Sequence, residues 1–159
     1  MSSAFSSIEQ SALGVALRDS PWLFTSAGIV HLVGVVILVG GIIVLDIRLL
    51  GLSRALPARK LAAHVLPWAA ASLLLIVPSG LTMFVAFAGE LIASPVFALK
   101  MCLILAALTN AAVLHAGVLR GAALWDIDAT PPLAARAAAA ASLAFWLSVV
   151  VCGRLLAYR

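Results

Sequence analysis

Residues 21–45 read PWLFTSAGIVHLVGVVILVGGIIVL. No Asp, Glu, Lys or Arg interrupts the run, and its one ionisable side chain is His31. About 20 apolar residues suffice for a helix to cross the hydrocarbon core. This stretch is long enough, and with no water to satisfy its backbone it must be helical there. Three further runs behave the same way, so the reading of the first one decides the fold. The whole chain has 159 residues, 65% hydrophobic and 10% charged, with mean hydropathy +1.21. Soluble domains carry about 25% charged residues. So few charges cannot cover a water-facing surface, which speaks against a soluble monomer, a disordered chain and a nucleic-acid-binding domain. The pI near 9.8 comes from a net charge of only +4. It fits membrane topology better than a polyanion-binding patch.

The spans are expected over about residues 21–50, 61–88, 95–119 and 132–158. Short connections make sequence neighbours antiparallel and adjacent. The fold class is therefore all-α, an integral-membrane, up-down-up-down four-helix bundle. It occupies residues 21–159 as one domain. Residues 1–20 form an N-terminal segment, where Ile8, Leu13, Val15 and Leu17 mixed with Glu9, Gln10 and Arg18 suggest a short helix lying in the interface. No basic leader precedes an apolar core with a cleavage site, so a signal peptide is not expected. Ser20-Pro21, Ser94-Pro95 and Thr130-Pro131 each place a hydroxyl before a first-turn proline. Pro78 removes a backbone donor inside the second span.

Orientation follows from Lys and Arg. Arg48, Arg54, Arg59, Lys60, Arg120 and Arg136 fall on one side, and Arg18, Lys100, Arg154 and Arg159 on the other. This bias puts the first and third loops in the cytoplasm and both termini outside, in the periplasm of a bacterial inner membrane.

Polar groups inside a span are costly and are candidates for function. His31 lies in the outer half of the first span. His64 and His115 lie toward the cytoplasmic side of the second and third. Histidine is the usual protein ligand of haem iron and of many metals. Against that, His64 suits an ordinary interfacial position, and a single neutral His31 can hydrogen-bond across helices. Gly28 and Gly34 flank His31, and small residues admit either a neighbouring backbone or a flat macrocycle. Asp46 and Arg48 close the first span and are expected to form an interfacial ion pair, with Arg54, Lys60 or His64 nearby. Lys100 is expected to snorkel outward, near Glu90 and Arg154. Met83, Met101, Cys102 and Cys152 all fall in the outer half, where thioether and thiolate suit Cu(I). The same residues are ordinary packing groups, and the two cysteines could also pair. No phosphate loop, Cys-x-x-Cys, His-Glu-x-x-His or Ser-His-acid set appears, so a hydrolase or nucleotide enzyme is not expected.

Together, Ile29-Val30-His31-Leu32-Val33-Gly34, Gly40-Gly41, Pro78-Ser79-Gly80-Leu81 and Leu99-Lys100-Met101 resemble small, uncharacterised four-span inner-membrane proteins of bacteria. They also resemble the wider group of CopD-like copper-resistance membrane domains and HemJ-type protoporphyrinogen oxidases. The HemJ likeness implies haem b, with His31 and His115 as its histidines and Gly34 and Gly80 beside it. The CopD likeness implies copper at His31 with the four sulfur residues. Asp46-Ile47-Arg48 departs from the HemJ pattern, so protoporphyrinogen oxidation does not carry over.

The leading expectation is a b-type haem protein that transfers electrons, with a quinone or a redox partner protein. His31 would be an axial ligand, with His115 or His64 supplying others. By depth, His64 and His115 are closer to one another than either is to His31. Copper binding or transport is the alternative. A second is a non-catalytic subunit, or homo-oligomer, packed through the Ala-rich face of residues 134–144; that face serves equally for packing inside the bundle.

Overall fold

The computed structural model describes residues 2–117 and 125–158. Arg120 and Arg159, and the expected end of the third span beyond residue 117, lie outside them. The described residues form helices α1 (Ser2–Glu9), α2 (Ala12–Asp19), α3 (Pro21–Leu49), α4 (Ala58–Ala86), α5 (Ala88–Ala93), α6 (Pro95–Ala116) and α7 (Leu133–Leu156), with no strand among them. Four of these, α3, α4, α6 and α7, are long and apolar enough to cross a membrane. Leu32, Leu74, Leu105 and Val151 stand exposed on their outward faces. A continuous apolar exterior of this kind suits lipid and not water. The protein is an all-helical, multi-pass, four-helix membrane bundle.

α3 packs along α4 and against α7, and α6 packs along α7. The order across the bundle is therefore α4, α3, α7, α6. The outer end of the bundle carries α1, α2 and the end of α7, and the inner end carries the 50–57 connection. α4 and α6 meet at the outer end, where Phe84 and Phe97 stack with centroids 5.8 Å apart. They do not pack along their lengths. The expected adjacency of sequence neighbours thus fails for the second and third spans. α5 lengthens their connection, and the α4 surface facing α6 is small-residue at Ala62, Ala63 and Ala70, with little to interlock.

Two layers of core hold the bundle. Leu45, Leu49, Ala58, Ala62, Val65, Leu114, Trp125, Ala135 and Ala139 pack at the inner end. Leu38, Val39, Ala69, Ala107, Trp146 and Val149 fill the middle. Ala135 and Ala139 are fully buried, so the Ala-rich face of α7 packs within the chain. Gly34 sets the α3–α4 approach. A Cβ there would lie 2.7 Å from Ile76 Cγ1 and 3.2 Å from the Ser72 carbonyl oxygen, whereas one at Gly28 or Gly40 would meet nothing within 4 Å.

The N-terminal segment is two helices rather than one, docked on the outer end. Arg18 donates to the carbonyls of Glu9 and Ala86, each at 2.8 Å, so it ties α2 to the end of α4. Glu9 accepts from the Gly89 amide at 2.9 Å. Ser20 caps α3 through the Leu23 amide. The other two expected hydroxyl caps differ: Ser94 makes no side-chain cap bond to α6, and α7 starts at Leu133 with Pro132 at its cap, beyond Thr130. Pro132 offers no hydroxyl, and its fixed φ simply presets the first turn.

Candidate functional site

Asp46 and Arg48 are both 1% exposed, and they do not pair. The expected interfacial ion pair is absent because two positions along a helix point to different faces. Arg48 turns toward the connections. Its Nε donates to the Leu56 carbonyl at 2.6 Å, and an Nη donates to the Asp126 carbonyl at 3.0 Å. Asp126 in turn accepts the Arg59 amide on its carboxylate at 2.8 Å. That carboxylate caps α4, whose own cap residue Pro57 has no side-chain bond to give. Asp128 donates its amide to the Arg54 carbonyl at 3.0 Å. Arg48 therefore clamps the 50–57 connection to residues 125–128. Asp46 bonds Ser142 of α7. These contacts tie the fold together, while Asp46 Oδ2 and Arg48 Nη1 are buried without a hydrogen-bond partner.

The outer half is different. The His31 ring lies between α3 and α4, with Nδ1 3.1 Å from the Ile76 carbonyl oxygen and 3.1 Å from Ser79 Oγ. A carbonyl can only accept, so Nδ1 carries a proton. Ser79 donates its own hydroxyl proton to the Leu75 carbonyl and so receives from His31. Nε2 has no hydrogen-bond partner among the described residues. Gly80 makes room for the ring: a Cβ there would sit 3.2 Å from His31 Cε1. Lys100 of α6 reaches across to α7. Its Nζ lies 3.6 Å from where a Cβ of Gly153 would be, on α7, and within electrostatic range of His31 and of Cys152. The absence of a side chain at Gly153 leaves room for the ammonium there. Arg154 turns away to Tyr158, its guanidinium 4.1 Å from the ring centroid. Each long helix thus contributes one polar side chain to this level: His31, Ser79, Lys100 and Cys152.

The other expected site residues do not join it. His64 and His115 are exposed near the inner end. His115 lines a groove of about 480 Å³ between α4 and α6, with Arg59, Ala62, Ala63, Leu66, Pro67 and Ala70. His64 falls off that face, about a third of a turn away. Cys152 is buried while Cys102 is exposed, and neither is in a disulfide. Met101 is exposed and Met83 half-buried. Among the described residues no three His, Cys, Asp or Glu side chains cluster as a metal site.

Residues 5–159 match a family of unknown function, DUF6644. The chain belongs to that family. No curated protein and no solved structure matches it. Membership in DUF6644 brings no activity across, and it lends no support to the CopD-like or HemJ-type resemblance. What DUF6644 does must be argued from the side chains.

Sequence reasoning picked out His31 but missed its partners. Ser79 was visible as a polar residue after Pro78 in an apolar span. The contact of Lys100 with α7 had one cue, the glycine at 153. The Asp126 cap, 67 residues from Arg59, had none.

Proposed function

We propose that this membrane protein binds b-type haem in the outer half of the bundle, with His31 as an axial ligand, and passes electrons within the membrane. The observation that carries the reading is the fixed His31 ring, with Nδ1–H held by a backbone carbonyl and Nε2 uncommitted. A ligating histidine is commonly set this way, because the anchored N–H fixes tautomer and orientation and raises the basicity of the other nitrogen. Ser79 supports the same nitrogen, and Gly80 leaves the ring room. Haem would supply a one-electron couple. Lys100 would place positive charge beside it and favour the more electron-rich state. His64 and His115 are too far toward the inner end to complete coordination with His31, so the chain offers this site one histidine.

The test is an absorption spectrum of protein purified from haem-supplied cells, oxidised and reduced, with metal analysis. A Soret band that is lost in His31→Ala is expected. Ser79→Ala should keep the band and weaken haem affinity about tenfold, the lower end of what removal of a ligand's supporting hydrogen bond does. No Soret band in the wild type, and none after adding haemin, sinks the reading. Stoichiometric copper lost on Cys152→Ser would replace it with the copper alternative.

A further inference from the structure

We propose that the groove between α4 and α6 is a binding site for one anionic phospholipid, with its phosphate on Arg59 and an acyl chain along the α4 wall. This inference uses a different face and end of the bundle from the His31 site and does not rest on the haem reading.

The groove exists because α4 and α6 meet only at their outer ends, through Phe84 and Phe97. Toward the inner end they leave about 480 Å³ between them. That volume lies in the range of small-molecule sites. Its wall is apolar and low, made by Ala62, Ala63, Leu66, Pro67 and Ala70, so the space comes from missing side chains. Polar character is confined to Arg59 and His115.

The depth of these groups matches an amphiphile. α4 has 29 residues, about 43 Å of helix, against a hydrocarbon core of about 30 Å. Its first turn therefore stands at headgroup level, and Arg59 is in that turn. Ala62 to Ala70 then run down into the acyl layer. The charge at the inner end is complementary to an anion. Exposed Arg54, Arg59, Lys60 and Arg136 outnumber the three carboxylates there among the described residues, Asp46, Asp126 and Asp128. Asp126 is engaged by the Arg59 amide. A basic pocket between membrane helices at the headgroup level is a recurrent way to hold an acidic lipid head.

The experiment is native mass spectrometry of the full chain released from detergent, with dioleoyl-phosphatidylglycerol or dioleoyl-phosphatidylcholine added at equal concentration. One phosphatidylglycerol should be retained in preference to phosphatidylcholine. Arg59→Gln should reduce that preference about fivefold, the factor that about 1 kcal/mol per basic side chain represents. Ala63→Trp should fill the groove and remove retention of both lipids. If that variant does not fold, Ala70→Leu takes its place. Equal retention of the two lipids by the wild type overturns the proposal, as does unchanged retention in both variants. A Soret band lost on His115→Ala would also overturn it, by giving the groove to haem.

Discussion

The two ends of the bundle use buried polar groups in opposite ways. At the inner end, Arg48 reaches three carbonyls of the connections, Asp126 caps α4 from across the chain, and Asp46 bonds α7. Nearly every contact there closes a loop or joins two helices. In the outer half, Nδ1 of His31 is consumed by its anchor, while Nε2 is left over. Both ends hold ionisable residues within apolar spans, and by sequence position alone each qualifies as a functional candidate. The hydrogen bonds separate them. Each end also leaves atoms over, since Asp46 Oδ2 and Arg48 Nη1 are buried without a hydrogen-bond partner; the contrast lies in what the bonded atoms do, tying segments of the chain together at the inner end and orienting a single ring in the outer half.

The sharpest attack on that contrast is Arg48→Met. It keeps the bulk of the side chain and removes every donor. The Asp126 and Arg54 carbonyls retain the amides of Ala58 and Asp128, but the Leu56 carbonyl loses its 2.6 Å donor from a charged group. A bond of that kind contributes about 1.5–3 kcal/mol, and the orphaned acceptor adds to the loss. Unfolding in mixed micelles should show a destabilisation of about 3 kcal/mol, with a haem spectrum at low denaturant unchanged. A lost spectrum with stability intact would reverse the roles of the two ends.

Arg48 also shows where sequence reading stopped. Four apolar runs and the deepest histidine were legible, because hydrophobicity acts locally along a chain. Arg48 was legible as a buried charge but not as a clamp, since its partners Leu56 and Asp126 are fixed only by how two loops fold over it. The α4–α6 gap was illegible for the same reason. Connection length gives adjacency, and only side-chain relief decides whether adjacent helices interlock.

Next in size is Gly34→Ala, on the seam that leads from one end to the other. A Cβ there meets Ile76 and the α4 backbone at Ser72. Overpacking of this sort costs about 1–3 kcal/mol. It also pushes on Ile76, whose carbonyl anchors His31, so the haem band should weaken with stability. Gly28→Ala, in open space on the same helix, should be neutral or stabilising by up to about 1 kcal/mol. Equal destabilisation by the two substitutions would show that the α3–α4 approach is looser than the contact distances require.

Asp126→Ala removes the carboxylate from the Arg59 amide and leaves the first turn of α4 uncapped. A lost cap costs about 1 kcal/mol. Hydrogen exchange should rise at Arg59 and its neighbours while His31 is untouched. Any change at the outer half would mean the two ends are coupled rather than independent.

His31→Ala should have the smallest effect on folding, although His31 is the deepest histidine in the bundle. The Ile76 carbonyl it leaves lies inside α4, where the amide four residues on is its ordinary donor, and Ser79 keeps its bond to Leu75. One neutral hydrogen bond is lost, a net of about 1 kcal/mol or less. The ring is half-buried, so little apolar surface goes with it. If the micelle unfolding curve barely moves while the haem band disappears, the open Nε2 is what this position is for. A destabilisation as large as that of Arg48→Met would instead make His31 another structural tie between helices, and the contrast between the two ends would collapse.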